Sequence, residues 1–241
     1  GYGRTEERFH HAVNVLNDYR VFHEKNSYTL RQDILNQLED IKEITSIFEK
    51  SAQKTFTKES FFSDVNSAYS DFFRSRHTVR NYSAEEIPLS VIYQCIDLAQ
   101  CSPTACNRQP NRVYVIKNKD KKEEVLSLQN GNRGFGNLAD TLLIITSDLS
   151  AFRDTAERND AFLNAGVYAM SLINALHYYK IGSCALNWSV PPKKDIALHK
   201  IIGIPENERI CLILGCGYPP DEFKVAISPK RESREITKVL I

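Results

Sequence analysis

The hydrophobic patterning of this chain predicts a domain of mixed α-helices and β-strands preceded by a purely helical extension, and three observations carry that reading. Up to about residue 74 the apolar residues recur only at helical spacing. Beyond it, helical stripes are interleaved with strand-like stretches at Arg112–Lys117, Thr141–Ser147 and Arg209–Gly215, the first alternating and the others continuously apolar. With 241 residues, 42% of them hydrophobic, the chain can bury a core in one domain plus an appendage, or in two small domains.

In the extension, residues 1–74, Phe9, Val13 and Leu16 mark a first, less regular helix. A second follows a capping box of Thr29 and Gln32 and carries Leu30, Ile34, Leu38, Ile41, Ile44 and Phe48 on one stripe. A third is expected through Phe61, Phe62, Val65, Tyr69, Phe72 and Phe73. These helices must bury their stripes, so they are expected to wrap the main domain, residues 75–241, or a dimer partner; none of their residues forms a catalytic constellation.

The third helical pattern stops at the basic segment Arg74-Ser75-Arg76-His77-Thr78-Val79-Arg80. Arg76 and Arg80 can each present a planar fork of donors to phosphate oxygens, Thr78 adds a hydroxyl, and His77 can donate through a ring nitrogen. The segment reads as a phosphate grip; the plainer reading is a solvated basic turn.

Pro88 suits a first helical turn, and Val91, Ile92, Cys95, Ile96 and Ala99 form one face behind it. Pro103 ends that helix and opens a polar loop to Pro110, where Thr104, Asn107 and Gln109 could read the edge of a heteroaromatic ring. The glycines of Gln129–Gly136 do not follow a strand and open a helix, so a dinucleotide fingerprint is rejected. That run reads as a mobile loop, with Asn132 or Arg133 as its candidate ligand contacts.

A long helix from about Asn159 to Lys180 carries Phe162, Ala165, Ala169, Leu172, Ile173 and Leu176, with Gly182 as its stop. Its small residues Ala161, Ala165, Gly166 and Ala169 allow close approach of another element, in the core or across a dimer. Ser183–Leu186 then leads into Asn187-Trp188-Ser189 and Pro191-Pro192. A helix through Ile196, Ala197, Leu198, Ile201 and Ile202 ends at Gly203. After Tyr218 the tail is polar, and its Ser228-Pro229-Lys230-Arg231 cluster either closes over the same phosphate or is solvated. His177 and His199 read as packing or helix-terminus residues rather than proton donors.

Charge and composition exclude several classes. Thirty-one Lys and Arg against thirty Asp and Glu leave a net charge of +1, so no basic field exists to hold nucleic acid or an anionic membrane. No apolar run approaches the roughly 20 residues that span a bilayer, and the N-terminus lacks a signal h-region, so a soluble, cytoplasmic protein is expected. Six cysteines, Cys95, Cys101, Cys106, Cys184, Cys211 and Cys216, show no Cys-x-x-Cys pair and read as reduced packing residues, with neither zinc nor disulfides. Gly1 is not an initiator methionine, which suggests a trimmed or processed start.

The basic segment is followed in order by Ser102-Pro103-Thr104-Ala105-Cys106-Asn107-Arg108-Gln109-Pro110, Gly182-Ser183-Cys184-Ala185-Leu186-Asn187-Trp188, Ile204-Pro205-Glu206 and Leu214-Gly215-Cys216-Gly217-Tyr218-Pro219. Together these resemble the nitroreductase family from about Arg74 onward, and the resemblance does not reach the N-terminal segment. It implies a three-layer fold with a mainly antiparallel sheet between helices, and an FMN-dependent homodimer with flavin in the interface. By this resemblance Arg76, His77, Thr78 and Arg80 hold the flavin phosphate, completed by Lys230 or Arg231. Pro103, Thr104, Ala105 and Asn107 would reach the flavin from the opposite subunit, and Leu186 and Asn187 would line its ring near N5. Trp188 departs from the commoner glycine or acidic residue and would narrow the pocket or stack on substrate. The implied reaction passes hydride from NAD(P)H through flavin N5 to a nitroaromatic, quinone or related acceptor. Because the cofactor carries that chemistry, no catalytic side chain and no metal are needed. Flavin-dependent dehalogenation or heterocycle oxidation, or flavin binding without turnover, are the alternatives.

Overall fold

The computed structural model describes residues 7–45 and 51–241. The chain forms two compact units: Thr55–Lys224, and a smaller one drawn from the residues before Thr55 and after Lys224.

In the smaller unit α1 (Glu7–Lys25) and α2 (Gln32–Thr45) pack on each other. Val13, Leu30 and Leu38 are buried as their spacing requires, whereas Leu16 is exposed. The side chains of Ile41 and Ile44, and all of Phe48, lie outside the described residues. The capping box at Thr29 does not form: α2 begins three residues later, where the Arg31 carbonyl accepts from the N–H groups of Ile34 and Leu35 at 3.1 and 3.0 Å. Asp18 of α1 anchors the chain that follows, accepting from Ser51 Oγ at 2.8 Å and Ala52 N at 2.9 Å.

The expected third helix is broken. β1 (Gln53–Thr57) precedes it, and its residues fall into a single turn α3 (Lys58–Phe61), a non-helical stretch and α4 (Tyr69–Ser75). Thr57 stops the strand and caps the turn, its Oγ1 accepting from Ser60 N at 3.1 Å while Ser60 Oγ accepts from Thr57 N at 3.1 Å. Phe61, Phe62 and Val65 are buried, but as a packed aromatic cluster of the larger unit rather than as a helix stripe.

The larger unit continues with α5 (Leu89–Ala99), β2 (Asn111–Ile116), α6 (Lys119–Leu128), β3 (Thr141–Asp148), α7 (Asp160–Tyr178), β4 (Gly182–Asn187), α8 (Pro192–Ile202) and β5 (Glu208–Gly217); β6 (Glu222–Ala226) and α9 (Ser233–Ile236) follow. The helix α6 and strand β6 were not expected from the pattern. β1 and β6 form a two-stranded sheet. The main sheet has the order β2-β3-β5-β4 and is antiparallel throughout. Because side chains alternate along a strand, Leu143 and Ile145 of β3 and Leu214 of β5 bury one face against Ile92, Cys95 and Ala99 of α5 and Ala165, Tyr168, Ala169, Leu172 and Leu176 of α7. Leu142, Ile144 and Ile213 are buried on the opposite face, and α6 and α8 pack together and bury Val125 and Leu198. This is a three-layer α+β fold with an antiparallel central sheet.

Helix α7 departs from expectation twice. Phe162 is 54% exposed; the buried stripe runs through Ala161, Ala165, Tyr168, Ala169, Leu172 and Leu176, and Gly166 faces outward. The helix also stops before Gly182. Lys180 takes the left-handed conformation (φ 61°), its N–H bonding to the His177 carbonyl and that of Ile181 to the Leu176 carbonyl, a Schellman ending without glycine. The buried side chains of Ile181 and Leu176 supply its hydrophobic contact. Of the cysteines, Cys101 and Cys106 are exposed and are not packing residues. Among the described residues no helix is long and apolar enough to cross a membrane.

Candidate active site

The basic segment leaves α4 at Arg76, where the backbone turns extended (φ −70°, ψ 121°). It then lies beside β4: Thr78 forms a parallel bridge with Ser183, and Val79 N donates to Ser183 O at 3.0 Å. In an extended run alternate side chains face opposite ways, so buried Val79 and His77 share one side and Arg76, Thr78 and Arg80 share the other. His77 is engaged on its own side. Its Nδ1 meets the Ser75 carbonyl at 2.8 Å, which requires the proton on Nδ1, and its ring packs 5.7 Å from Phe56 and 6.1 Å from Phe61.

Arg76 is half-buried, and burial lowers its guanidinium pKa. Its Nε is buried with no hydrogen-bond partner, a rare state for a charged donor. Arg80 is exposed, and its guanidinium stands 5.6 Å over the Phe135 ring. Two guanidinium groups and a hydroxyl on one side of a fixed segment, one donor lacking a partner, form a donor set that fits a phosphate.

Three and four residues beyond Ser183 along β4, about 10 and about 13 Å at the strand rise, Leu186 is buried and Asn187 exposed. The Asn187 carbonyl accepts from the buried Gln129 side chain at 3.0 Å. Gln129 Oε1 in turn accepts from Gly131 N at 2.6 Å and Asn132 Nδ2 at 3.0 Å. The 129–136 segment is therefore a hydrogen-bonded support for the end of β4, and Asn132 is directed inward; Arg133 is exposed. Trp188 follows, half-buried, its indole N–H donating to Asp195 Oδ1 at 2.7 Å.

The loop between α5 and β2 holds three non-glycine residues at positive φ: Cys106 (52°), Asn107 (54°) and Gln109 (49°). Such backbone persists only where its surroundings over-determine it. Here Asn164 of α7 accepts from Ala105 N at 3.0 Å, and Thr104 Oγ1 accepts from Gln109 N at 3.1 Å. Arg108 forms a two-pronged pair with Glu157, at 3.0 and 2.5 Å, and donates to the Ala151 carbonyl at 2.8 Å. The Arg108 bonds and the Arg153 N–H hold the Glu157 carboxyl down to about 2. Pro103, Cys106 and Asn107 are left exposed on this braced loop, while Thr104 and Ala105 are half-buried.

The structure thus brings Arg76, Thr78 and Arg80 together beside β4, and it places Leu186, Asn187 and Trp188 at that strand's end. It does not bring Pro103, Thr104, Ala105 and Asn107 to them within one chain: their loop leads into β2, at the opposite edge of the sheet from β4. Lys230 and Arg231 are exposed, in the smaller unit between β6 and α9. The bracing residues Gln129, Asn164, Glu157 and Arg108 escaped sequence reasoning because each acts across long separation, with no local spacing to mark it.

His199 behaves as a helix-end residue, Nδ1 meeting the Ile204 carbonyl at 3.1 Å. His177 is buried among Phe61, Phe62 and Phe72, at centroid distances of 5.6, 5.4 and 5.3 Å, with Nε2 2.8 Å from Ser75 Oγ.

A family model described as Nitroreductase family matches residues 73–131 and 124–218. An iodotyrosine deiodinase of Haliscomenobacter hydrossis is 24% identical over 201 residues, covering 72% of this chain and 87% of that protein. A putative NAD(P)H nitroreductase of Bacillus subtilis is 22% identical over 177 residues, covering 66% and 89%. Among solved structures, an FMN-dependent nitroreductase of Clostridium difficile superposes with a TM-score of 0.58 at 19% identity, covering 70% of this chain and 96% of that one.

Proposed function

This chain belongs to the nitroreductase family, whose model spans it from residue 73 to residue 218, and from that membership we propose an FMN-dependent oxidoreductase that takes hydride from NAD(P)H and delivers it to a nitroaromatic, quinone or related small acceptor. The observation that carries the proposal is the buried, unpartnered Nε of Arg76 on the same side of a fixed segment as Thr78 and Arg80. A dianionic phosphate supplies the acceptors that such donors lack, and charge-assisted bonds of this kind are the strong ones.

In this reading Arg76, Thr78 and Arg80 bind the flavin phosphate, with His77 behind them. Leu186 and Asn187 line the ring, their strand end steadied by Gln129. The Pro103–Asn107 loop serves the site of a second copy: its place at the sheet edge opposite β4 supports a homodimer with shared sites. When bound, FMN supplies the hydride-accepting and hydride-donating centre at N5. The protein's own part is to hold, orient and enclose, with Trp188 forming a wall of the acceptor pocket.

A reductive dehalogenase of the same fold is the second reading, supported by the deiodinase relative. One experiment separates these outcomes. The protein is loaded with FMN, freed of excess and followed anaerobically by absorbance on adding NADH, then NADPH, then a nitroaromatic, a quinone or iodotyrosine. Bleaching and re-oxidation by one acceptor class identifies the activity. Bound flavin that neither nicotinamide bleaches would point to binding without turnover, and a folded protein that retains no flavin would overturn the proposal.

A further inference from the structure

We infer that Ser75 and His177 form a latch that aims the Arg76 guanidinium, making His177 a positioning residue for the phosphate end of the flavin site. The inference rests on the phosphate role proposed above for Arg76 and goes beyond it to residues that touch no ligand.

His177 sits in the last turn of α7, 2% exposed, boxed by Phe61, Phe62 and Phe72. A leucine would fill an aromatic box without burying ring nitrogens, so the imidazole is there at a desolvation penalty. One of those nitrogens has a defined use. Ser75 Oγ lies 2.8 Å from the Phe72 carbonyl and 2.8 Å from His177 Nε2. A serine hydroxyl has one proton and the carbonyl can only accept, so that proton goes to Phe72 O and His177 Nε2 donates to Oγ. Burial, reinforced by the charges of Arg76 and His77, lowers the His177 pKa to about 4 and keeps the ring neutral near neutrality.

Ser75 is also the last residue of α4, and its carbonyl is held by His77 Nδ1 at 2.8 Å. Its side chain is thus fixed by the end of α7 and its main chain by His77, at the residue where the backbone swings from helical to extended. Arg76 departs from that fixed point with Nε buried and unpartnered. A guanidinium donates along set directions, and a small rotation of its root removes bonds that a flexible ammonium would re-form. Holding Ser75 therefore fixes where Arg76 points.

The test compares two ligands that differ only in the phosphate. Dissociation constants for FMN and riboflavin are measured by flavin fluorescence with flavin-free protein, for the wild type, His177→Phe, His177→Gln and Ser75→Ala. Loss of one hydrogen bond's worth of aim should weaken FMN about tenfold in H177F and S75A. Riboflavin should be unaffected, and H177Q, which keeps a side-chain N–H donor, should recover most of the FMN affinity. Equal weakening of both ligands would mean a general packing role, and wild-type affinity for both would mean no role; either overturns the latch. If H177F does not fold, S75A, a change of one oxygen outside the aromatic box, decides alone. A wild type that does not prefer FMN to riboflavin would instead overturn the phosphate reading of Arg76, and the latch with it.

Discussion

Gly182 and Val79 meet so closely that a Cβ on Gly182 would lie 2.8 Å from the Cβ of Val79. Across the β4–β5 ladder Gly182 pairs with Gly217, where a Cβ would lie 2.9 Å from Tyr82 Cδ1. Two opposed glycines thus leave a seat for the segment 79–82, and the Tyr82 hydroxyl bonds the Val79 carbonyl at 2.7 Å within it. Replacing Gly182 by Ala should push Val79 off β4, destabilising the protein by about 1–3 kcal/mol in chemical denaturation and weakening FMN. Adding Val79→Gly, which removes the Cβ that an alanine would keep, should return part of the loss of FMN affinity. Purely additive effects of the two changes would show that the contact is not what seats the grip.

The Arg108–Glu157 pair braces a loop whose Cys106, Asn107 and Gln109 all carry positive φ. Glu157→Gln weakens the fork without changing its size, so hydrogen exchange across residues 102–112 should accelerate while exchange in β3 stays slow. The carboxyl ionises near 2 in the folded chain against 4.5 for the ordinary side chain. A depressed carboxyl stabilises above its unfolded value and that contribution fades as pH falls from 4.5 toward 2. E157Q should flatten this acid limb; an unchanged limb would place the loop's support elsewhere.

What sequence patterning could read divides along the same lines. β3 and β5 were legible because both of their faces are buried, leaving continuous apolar runs such as Leu142–Ile145. That Arg76, Thr78 and Arg80 share one side follows from their nearness in sequence, because an extended segment sets alternate residues on one side. The third helix misled because Phe61, Phe62 and Phe72 serve an aromatic cluster around His177, not a helical stripe. α6 buries only Val125 and Leu126, too few to write a periodicity, although Asn118 caps it by accepting from Lys121 N at 3.0 Å. β6 hides Phe223 and Val225 between charged neighbours in five residues. The braces were beyond reach: Arg108–Glu157, Gln129–Asn187 and Ser75–His177 span 49, 58 and 102 residues, and only the tertiary fold makes them neighbours.

His177 should leave a signature in the pH dependence of stability. The unfolded side chain takes up a proton near 6.5, the folded one only near about 4, because burial first and the charges of Arg76 and His77 second oppose it. Between those values the unfolded chain holds more protons, so stability falls as pH drops from about 6.5 toward 4, by on the order of 3 kcal/mol. Denaturation midpoints of His177→Phe and His177→Gln, compared across that window, should show a shallower decline than the wild type. The slope is the readout, since the substitutions shift absolute stability as well. A variant with the full wild-type slope would assign the decline to another group.

Trp188 is the one tryptophan of the chain, so its fluorescence reports the end of β4 directly. Its indole N–H is held by Asp195 Oδ1 at 2.7 Å, and Asp195 also lies 3.5 Å from Arg209 Nη1. Asp195→Ala removes the acceptor and leaves the indole free to turn; Asp195→Asn keeps an acceptor oxygen in place. If Trp188 walls the acceptor pocket, D195A should shift the emission maximum, alter its quenching by bound FMN, and raise the acceptor KM several-fold, the scale of one lost hydrogen bond to a charged group. Bleaching of the flavin by NAD(P)H, which precedes acceptor binding, should keep its rate, and D195N should stay near the wild type in all three readouts. A D195A enzyme with altered fluorescence but an unaltered acceptor KM would remove Trp188 from the pocket while leaving the flavin assignment untouched.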